Sequence, residues 1–286
     1  MANTDRNGQR RALVTGCSSG IGRATALALV DAGYLVRAGV RSDRDAVALR
    51  SERPAGLEPL ILDVASPASV ADAVRCLGEE VGAAGLDVLV NNAGFGLAGP
   101  LELQGMEDIR GQFEVNTFGT LALTKACIPL LRAARGRIVC VSSVSGFSSM
   151  PFQGAYCASK FALEAFMDAL RVELRPWGIA VSLVQPGDIK TPAWGKAAEA
   201  ADAMIAGWTE AERALYAGAA AKVREMASSP RGIAPEQVAA RIVGILATRR
   251  PPARALVGPD APGYALLEAL PVRLRDALIA RGLGMR

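Results

Sequence analysis

Tyr156 and Lys160 stand four residues apart in the run Tyr156-Cys157-Ala158-Ser159-Lys160, and Ser143 lies 13 residues before the tyrosine, after a strand-like segment. On a helix, positions i and i+4 share a face, so a lysine ammonium can lie beside the phenol and favour its ionised form. A free tyrosine has a pKa of about 10; proton transfer near neutrality asks for roughly 3 units of depression, on the order of 4 kcal/mol. One lysine supplies part of that, and a second cationic group or the N-terminus of the helix supplies more. The chemistry on offer is acid–base work without histidine, of which the chain has none. A tyrosine and a lysine at this spacing are more often an ordinary solvated helix face, so their meaning rests on the elements that position them.

Those elements read as alternating strands and helices. Arg11 to Thr15, Tyr34 to Val40, Leu57 to Leu62, Leu86 to Val90, Arg137 to Ser142 and Ile179 to Val184 are short, β-branched apolar runs, and Arg254 to Val257 adds a last one. Alanine-rich segments of helical period separate them. Continuous apolar runs mark strands buried on both faces, and the alternation predicts an α/β fold, a Rossmann-like doubly wound parallel sheet with helices on both faces. No repeat or low-complexity linker divides residues 1–286, which are expected to form a single domain. Two segments depart from the rhythm. Residues 193–229 form a helical insertion, either a hairpin packed on the core or a lid over the site with Trp194, Trp208 and Tyr216 facing a substrate. Residues 260–286 form a helical tail with leucines at helical intervals between arginines. Docking on the core is its default, with pairing to another subunit or lying on a membrane surface as the other readings.

Composition narrows the field. The net charge of +4 comes without a dense basic patch interleaved with aromatics, so nucleic acid is not an expected partner. Lack of histidine removes Ser-His-Asp hydrolysis, Cys-His proteolysis and the commonest zinc ligand, and no metal is expected. Cys17, Cys76, Cys127, Cys140 and Cys157 are odd in number and lack CxxC spacing, which suggests reduced thiols and a cytoplasmic location. Cys17 and Cys157 read as small buried filler. The polar, basic start from Met1 to Arg11 does not resemble a signal peptide, and no run approaches the ~18 apolar residues of a transmembrane segment.

After the first strand comes Thr15-Gly16-Cys17-Ser18-Ser19-Gly20-Ile21-Gly22, opening into the helical segment from Arg23 to Ala32. Glycines at a strand-to-helix turn let backbone approach a pyrophosphate at the helix N-terminus. The spacing is G-x-x-x-G-x-G, not the general G-x-G-x-x-G. In this the sequence resembles the short-chain dehydrogenase/reductase family, whose members carry T-G-x-x-x-G-x-G at that turn and a Ser, Tyr-x-x-x-Lys active site. Further matches follow in order: Asn91-Asn92-Ala93-Gly94, then Asn116 in Glu114-Val115-Asn116-Thr117, then Pro186-Gly187 with Ile189 and Thr191. The resemblance is close over about residues 9 to 192 and looser beyond.

It implies an NAD(P)-dependent oxidoreductase acting on CH–OH groups, with Asn116, Ser143, Tyr156 and Lys160 as its catalytic set. Ser143 would bond the substrate oxygen, Tyr156 exchange a proton with it, and Lys160 both lower the Tyr156 pKa and bind the nicotinamide ribose. Asn116, at a break in a helix, would position a water joining Lys160 to solvent. Ser142 is better read as a strand-end residue. Cofactor contacts are implied for Gly16, Ser18, Ser19, Gly20, Ile21, Gly22, Asp63, Val64, Asn91, Ala93, Gly94, Pro186, Gly187, Ile189 and Thr191. The second strand ends at Val40 and is followed by Arg41, where an acid would hold the ribose hydroxyls of NAD. Arg41, with Ser18 or Arg44 nearby, suits a 2′-phosphate, so NADP is expected over NAD.

The resemblance is strongest to members acting on hydroxysteroids, retinoids or similar lipophilic alcohols and ketones. Gly94-Phe95-Gly96-Leu97, Phe147, Met150-Pro151-Phe152 and Trp194 are candidates to line an apolar pocket. The alternatives are a 3-oxoacyl-thioester reductase and, from another class, a non-catalytic NADP-binding regulator. Members usually pair through the helices that carry Asn116 and Tyr156, so a homodimer or homotetramer is implied.

Overall fold

The computed structural model describes residues 9–52, 55–227 and 232–285. The polar start, Met1 to Gly8, lies outside them, as do the Trp194 side chain and the last residues of the insertion, 228–229.

Seven strands form one parallel sheet: β1 (Arg10–Val14), β2 (Tyr34–Val40), β3 (Leu57–Ile61), β4 (Val88–Asn91), β5 (Arg137–Val141), β6 (Ala180–Pro186) and β7 (Arg254–Val257), in the order β3-β2-β1-β4-β5-β6-β7. The chain leaves β1 to build one edge and returns beside β1 to build the other, which opens a crevice at the carboxyl ends of β1 and β4. All seven expected strands are present, with ends displaced by a residue or two. The start shifts most at β4, where Leu86 and Asp87 donate to Leu130 O and Arg11 O as a lead-in before the ladder begins.

Strand pleating gives the sheet two cores. Ala12 and Val14 of β1 join Val36, Val90, Val139 and Val184 on one face, covered by Leu29 of α1 (Gly20–Asp31), Leu49 of α2 (Asp43–Glu52), and Val238 and Ile242 of α9 (Pro235–Ala247). Leu13 points the other way with Leu89, Ile138, Cys140 and Leu183. Over these lie α3 (Pro67–Val81), α5 (Thr120–Ala134) and α6 (Gly154–Glu173), through Leu77, Leu123, Leu131, Leu163 and Met167. Four of the five cysteines are buried and none is in a disulfide. Cys17 sits in the first core and Cys127 and Cys140 in the second, as filler between strands and helices.

Helix α4 (Met106–Phe113) runs into α5 through a six-residue π-helical turn, Glu114–Gly119, so the expected helix break at Asn116 is a widened turn. The insertion is a helical hairpin, α7 (Pro192–Ala206) and α8 (Glu210–Ala227), joined by the Arg224–Asp202 ion pair. It also reaches over the site side of the molecule: Tyr216 donates to the Glu102 carboxylate, and Tyr216 meets Phe152 and Trp208 edge-on at centroid distances of 6.3 Å. Both readings of the segment therefore have contacts behind them. The tail forms α10 (Ala261–Glu268) and α11 (Val272–Leu283). α10 docks on β7 and through Glu268 on Ser148, while α11 packs on α8. Docking on the core is thus seen for α10, while α11 rests on the insertion. No helix among the described residues is long and apolar enough to cross a membrane.

Candidate active site

Every loop that carries a candidate residue leaves the carboxyl edge of the sheet. The first, after β1, is fixed in its shape by glycine. Gly16 has φ +69°, and a Cβ on Gly22 would stand 2.2 Å from Gly16 O and 2.4 Å from Asn92 Nδ2. Nothing larger than hydrogen fits there, and the backbone of the turn stays uncovered for a ligand. Asn92 is the staple: its Nδ2 donates to Thr15 O at 2.9 Å and Gly16 O at 3.2 Å, while Thr15 Oγ1 accepts from the Asn92 and Ala93 amides. The β1 and β4 loops thereby become one floor.

Around that floor the expected cofactor residues gather. Cys17 N donates to Gly39 O and carries the exposed Ser18 toward the end of β2, where Arg41 is exposed. No acidic side chain among the described residues pairs with Arg41. The Thr191 methyl group would stand 3.2 Å from a Cβ on Gly20, so the segment after β6 closes against the glycine turn. An open cavity of about 490 Å³ beside it is bordered by Ser18, Ser19, Gly20 and Lys190. Ile21 packs against the first core. Asp63 spends one carboxylate oxygen on Ala65 N, turning the chain after β3, and Val64 is buried against the approach of Gly119.

Four expected cofactor residues are held by contacts within the protein. Asn91 is buried, its Nδ2 donating to Thr124 Oγ1 and Cys140 Sγ while its Oδ1 has no protein partner. Ile189 is buried in the first core and bridges to Ile233. Gly187 lies under the Asp260 carboxylate, whose Oδ2 accepts from Asp188 N at 2.9 Å, and Pro186 ends β6.

At the catalytic end, α6 begins just before Tyr156 and projects it beside Ser143. The Ser143 hydroxyl faces the Tyr156 phenol and accepts from Ser145 N at 3.1 Å. Ser142 is a buried strand-end residue whose amide donates to Val184 O, as expected. Burial pushes the Tyr156 phenol up to about 12, opposed by the Ser143 hydroxyl and aided by Cys157. Lys160 Nζ lies over the Tyr156 ring, 5.9 Å from its centroid, and donates to Val141 O at 3.0 Å. Burial lowers Lys160 to about 8, against the raising influence of Cys140 and Glu164. The expected depression of Tyr156 by Lys160 is thus not built into the protein alone.

Asn116 sits in the π-helical turn. Its Nδ2 donates to Phe95 O at 2.8 Å and Ser159 Oγ at 3.0 Å, and its Oδ1 accepts from Phe95 N at 3.0 Å. Both amide hydrogens are engaged by protein, so only oxygen lone pairs remain for the expected water. Gly94 lies between Asn116 Oδ1 and Lys160 Nζ, where a Cβ would be 3.0 and 3.6 Å from them, and Gly96 lies on the Tyr156 ring.

Reading the sequence alone passed over three residues. Asn92 was visible in Asn91-Asn92-Ala93-Gly94 but without a role; Lys190, exposed beside the glycine turn, and Asp260, 72 residues beyond Asp188, had no local signal.

Comparison with known proteins gives the same picture. The sequence model of the family described as short chain dehydrogenase matches residues 10–202. A 3-ketodihydrosphingosine reductase of Bacteroides thetaiotaomicron is 37% identical over 257 residues, covering 86% of this chain and 87% of that protein. Mouse retinol dehydrogenase 5 is 41% identical over 180 residues, 63% of this chain and 56% of that one. A solved short chain dehydrogenase from Burkholderia cenocepacia in complex with NADP superposes with a TM-score of 0.74 at 26% identity, covering 99% of each chain.

Proposed function

The chain belongs to the short-chain dehydrogenase/reductase family and is an oxidoreductase acting on CH–OH groups, and from that premise we propose that it interconverts a lipophilic secondary alcohol and its ketone with NADP as cofactor. The observation that carries the reading is Ser143 standing by the Tyr156 phenol, with Lys160 on the same helix, at the mouth of a crevice floored by the glycine turn. When bound, the nicotinamide supplies or accepts the hydride. The residues do the rest. The Ser143 hydroxyl donates to the substrate oxygen and fixes its direction. Tyr156, held protonated by burial, passes its phenolic proton to that oxygen in the reducing direction. Lys160 is a buried cation within the same cluster and would hold the ribose hydroxyls.

NADP is favoured because Arg41 follows the end of β2, is exposed, and pairs with no carboxylate among the described residues. An Arg41→Asp variant should lose at least tenfold of its preference for NADPH over NADH; an unchanged ratio would refute this assignment. Lipophilic substrates are favoured by Phe95, Phe152, Trp208 and Tyr216 around the Tyr156 side of the cleft. The retinol and ketosphingosine names of the relatives point the same way. Reduced, unpaired cysteines fit a cytoplasmic enzyme. Exposed Phe118, Phe161 and Phe166, in the π-helical turn and on α6, suit pairing of two copies through that face.

The deciding experiment follows NADPH absorbance against steroid, retinal, aryl ketone and acyl-thioester panels. Turnover of bulky ketones, lost at least a thousandfold in Tyr156→Phe while NADPH still binds, is the expected result. Tight NADPH binding with no turnover on any panel would make the chain a regulator instead.

A further inference from the structure

Two side chains in the region between the insertion and the β4 loop are buried with polar atoms that have no partner among the described residues. Gln104 is 7% exposed and neither its Oε1 nor its Nε2 is hydrogen-bonded; Trp208 is 6% exposed and its Nε1 is likewise unpaired. Leaving buried groups in this state costs stability, and well-packed proteins leave few of them.

They belong to one contact region. A Cβ on Gly99 would stand 2.6 Å from Met204 Sδ and 3.7 Å from Gln104 Nε2, and Met204 is one helical turn before Trp208. Trp208 meets Tyr216 edge-on, Tyr216 meets Phe152, and Phe152 O accepts from Gly99 N at 2.7 Å. The region is also continuous with the reaction centre. Gly96 lies on the Tyr156 ring, and the segment from Gly96 to Gln104 runs from there to the unpaired amide. The walls are aromatic or thioether, and the carboxylates around the region are engaged or turned aside: Glu102 takes the Tyr216 hydroxyl, Glu212 takes the Thr209 amide, and Asp108 lies against Gly105.

We propose that Gln104 and Trp208 are specificity-determining residues that recognise an uncharged carboxamide-like group on an otherwise apolar ketone. The stoichiometry of donors and acceptors selects the class. An amide edge presents an acceptor and a donor side by side, and its complement is another amide edge, C=O to Nε2–H and N–H to Oε1. The second lone pair of the ligand carbonyl takes the Trp208 N–H. A hydrocarbon leaves all three atoms unpaired, and a carboxylate has no donor for Oε1 and no cation to meet. This rests on the oxidoreductase reading for the ketone, and adds what the far end of the substrate carries.

The test uses long-chain ketones of one length bearing a primary carboxamide moved one carbon at a time, with the plain ketone and the matching methyl esters as controls. Affinities are measured by calorimetry in the presence of NADP⁺, with which a ketone cannot react, so they are read whether or not NADPH assays show turnover. The expected result is an optimum amide position bound about tenfold tighter than the plain ketone, the size of one net hydrogen bond, with the ester falling short. Gln104→Met and Trp208→Phe should each collapse that ratio toward one. Gln104→Met should also melt no lower than the parent, because the amide it removes has no protein partner. A flat series, a ratio unchanged in both variants, or a Gln104→Met protein that melts more than about 5 °C lower would overturn the proposal, the last by revealing an internal partner for the amide.

Discussion

At the scale of single residues, the site holds its two ionisable groups away from the states that charge would favour. Tyr156 is pushed up to about 12 and Lys160 down to about 8, each chiefly by burial. For Lys160 the sign is explicit. Its folded pKa lies below the unfolded value of about 10.5, so below pH 8 the ammonium is buried at a cost in the folded state. As pH rises from 8 toward 10, the folded protein gives up that proton before the unfolded chain does, and this contribution makes the protein more stable. Lys160→Met should therefore unfold at higher denaturant at pH 7, by up to about 3 kcal/mol, while losing turnover, and its advantage should shrink as pH approaches 10. A variant less stable than the parent at pH 7 would show that the Val141 bond outweighs the burial. The tyrosine–lysine spacing was legible because a helix fixes which side chains share a face. That the lysine amine turns to Val141 O was not, because β5 and α6 meet only in three dimensions.

At the scale of elements, the strands were legible because a parallel sheet covered on both faces leaves no room for polar alternation, and β2 and β7 match their expected limits to the residue. Strand ends were less so, since backbone bonds such as Leu86 N to Leu130 O are made across the fold. The glycine turn shows how much one element carries. With Gly16 O and Asn92 Nδ2 both within 2.4 Å of any added Cβ, Gly22→Ala should weaken NADPH binding at least tenfold in a fluorescence titration. Asn92→Leu removes the donor that joins the turn to the β4 loop. It should cost ~1–3 kcal/mol in urea unfolding. If both variants bind NADPH like the parent, the turn is not the phosphate cradle.

At the scale of the whole molecule, the carboxyl edge of the sheet is completed from the far end of the chain. Asp260, just after β7, holds the Asp188 amide and covers Gly187, and the half-buried Asp188 carboxyl is raised by burial and by Asp260. Asp260→Ala should raise the KM for NADPH severalfold, whereas Asp260→Asn keeps the acceptor and should stay near the parent. Equal losses in both would make the charge, not the hydrogen bond, the working part. No sequence pattern announced this tie, because its partners are 72 residues apart and neither is unusual locally. A related consequence concerns synthesis. β1 is the first strand made and lies between β2 and β4 in the sheet, yet its neighbour β4 ends only at Asn91. While the ribosome is still adding residues 15 to 90, the Thr15 and Gly16 carbonyls have no Asn92 to meet, and one flank of the first strand stays open to any other chain nearby. The nascent polypeptide is therefore at greatest risk of misassociation early, and a pause or chaperone engaged before Asn92 emerges should govern the yield of folded enzyme more than anything that happens later.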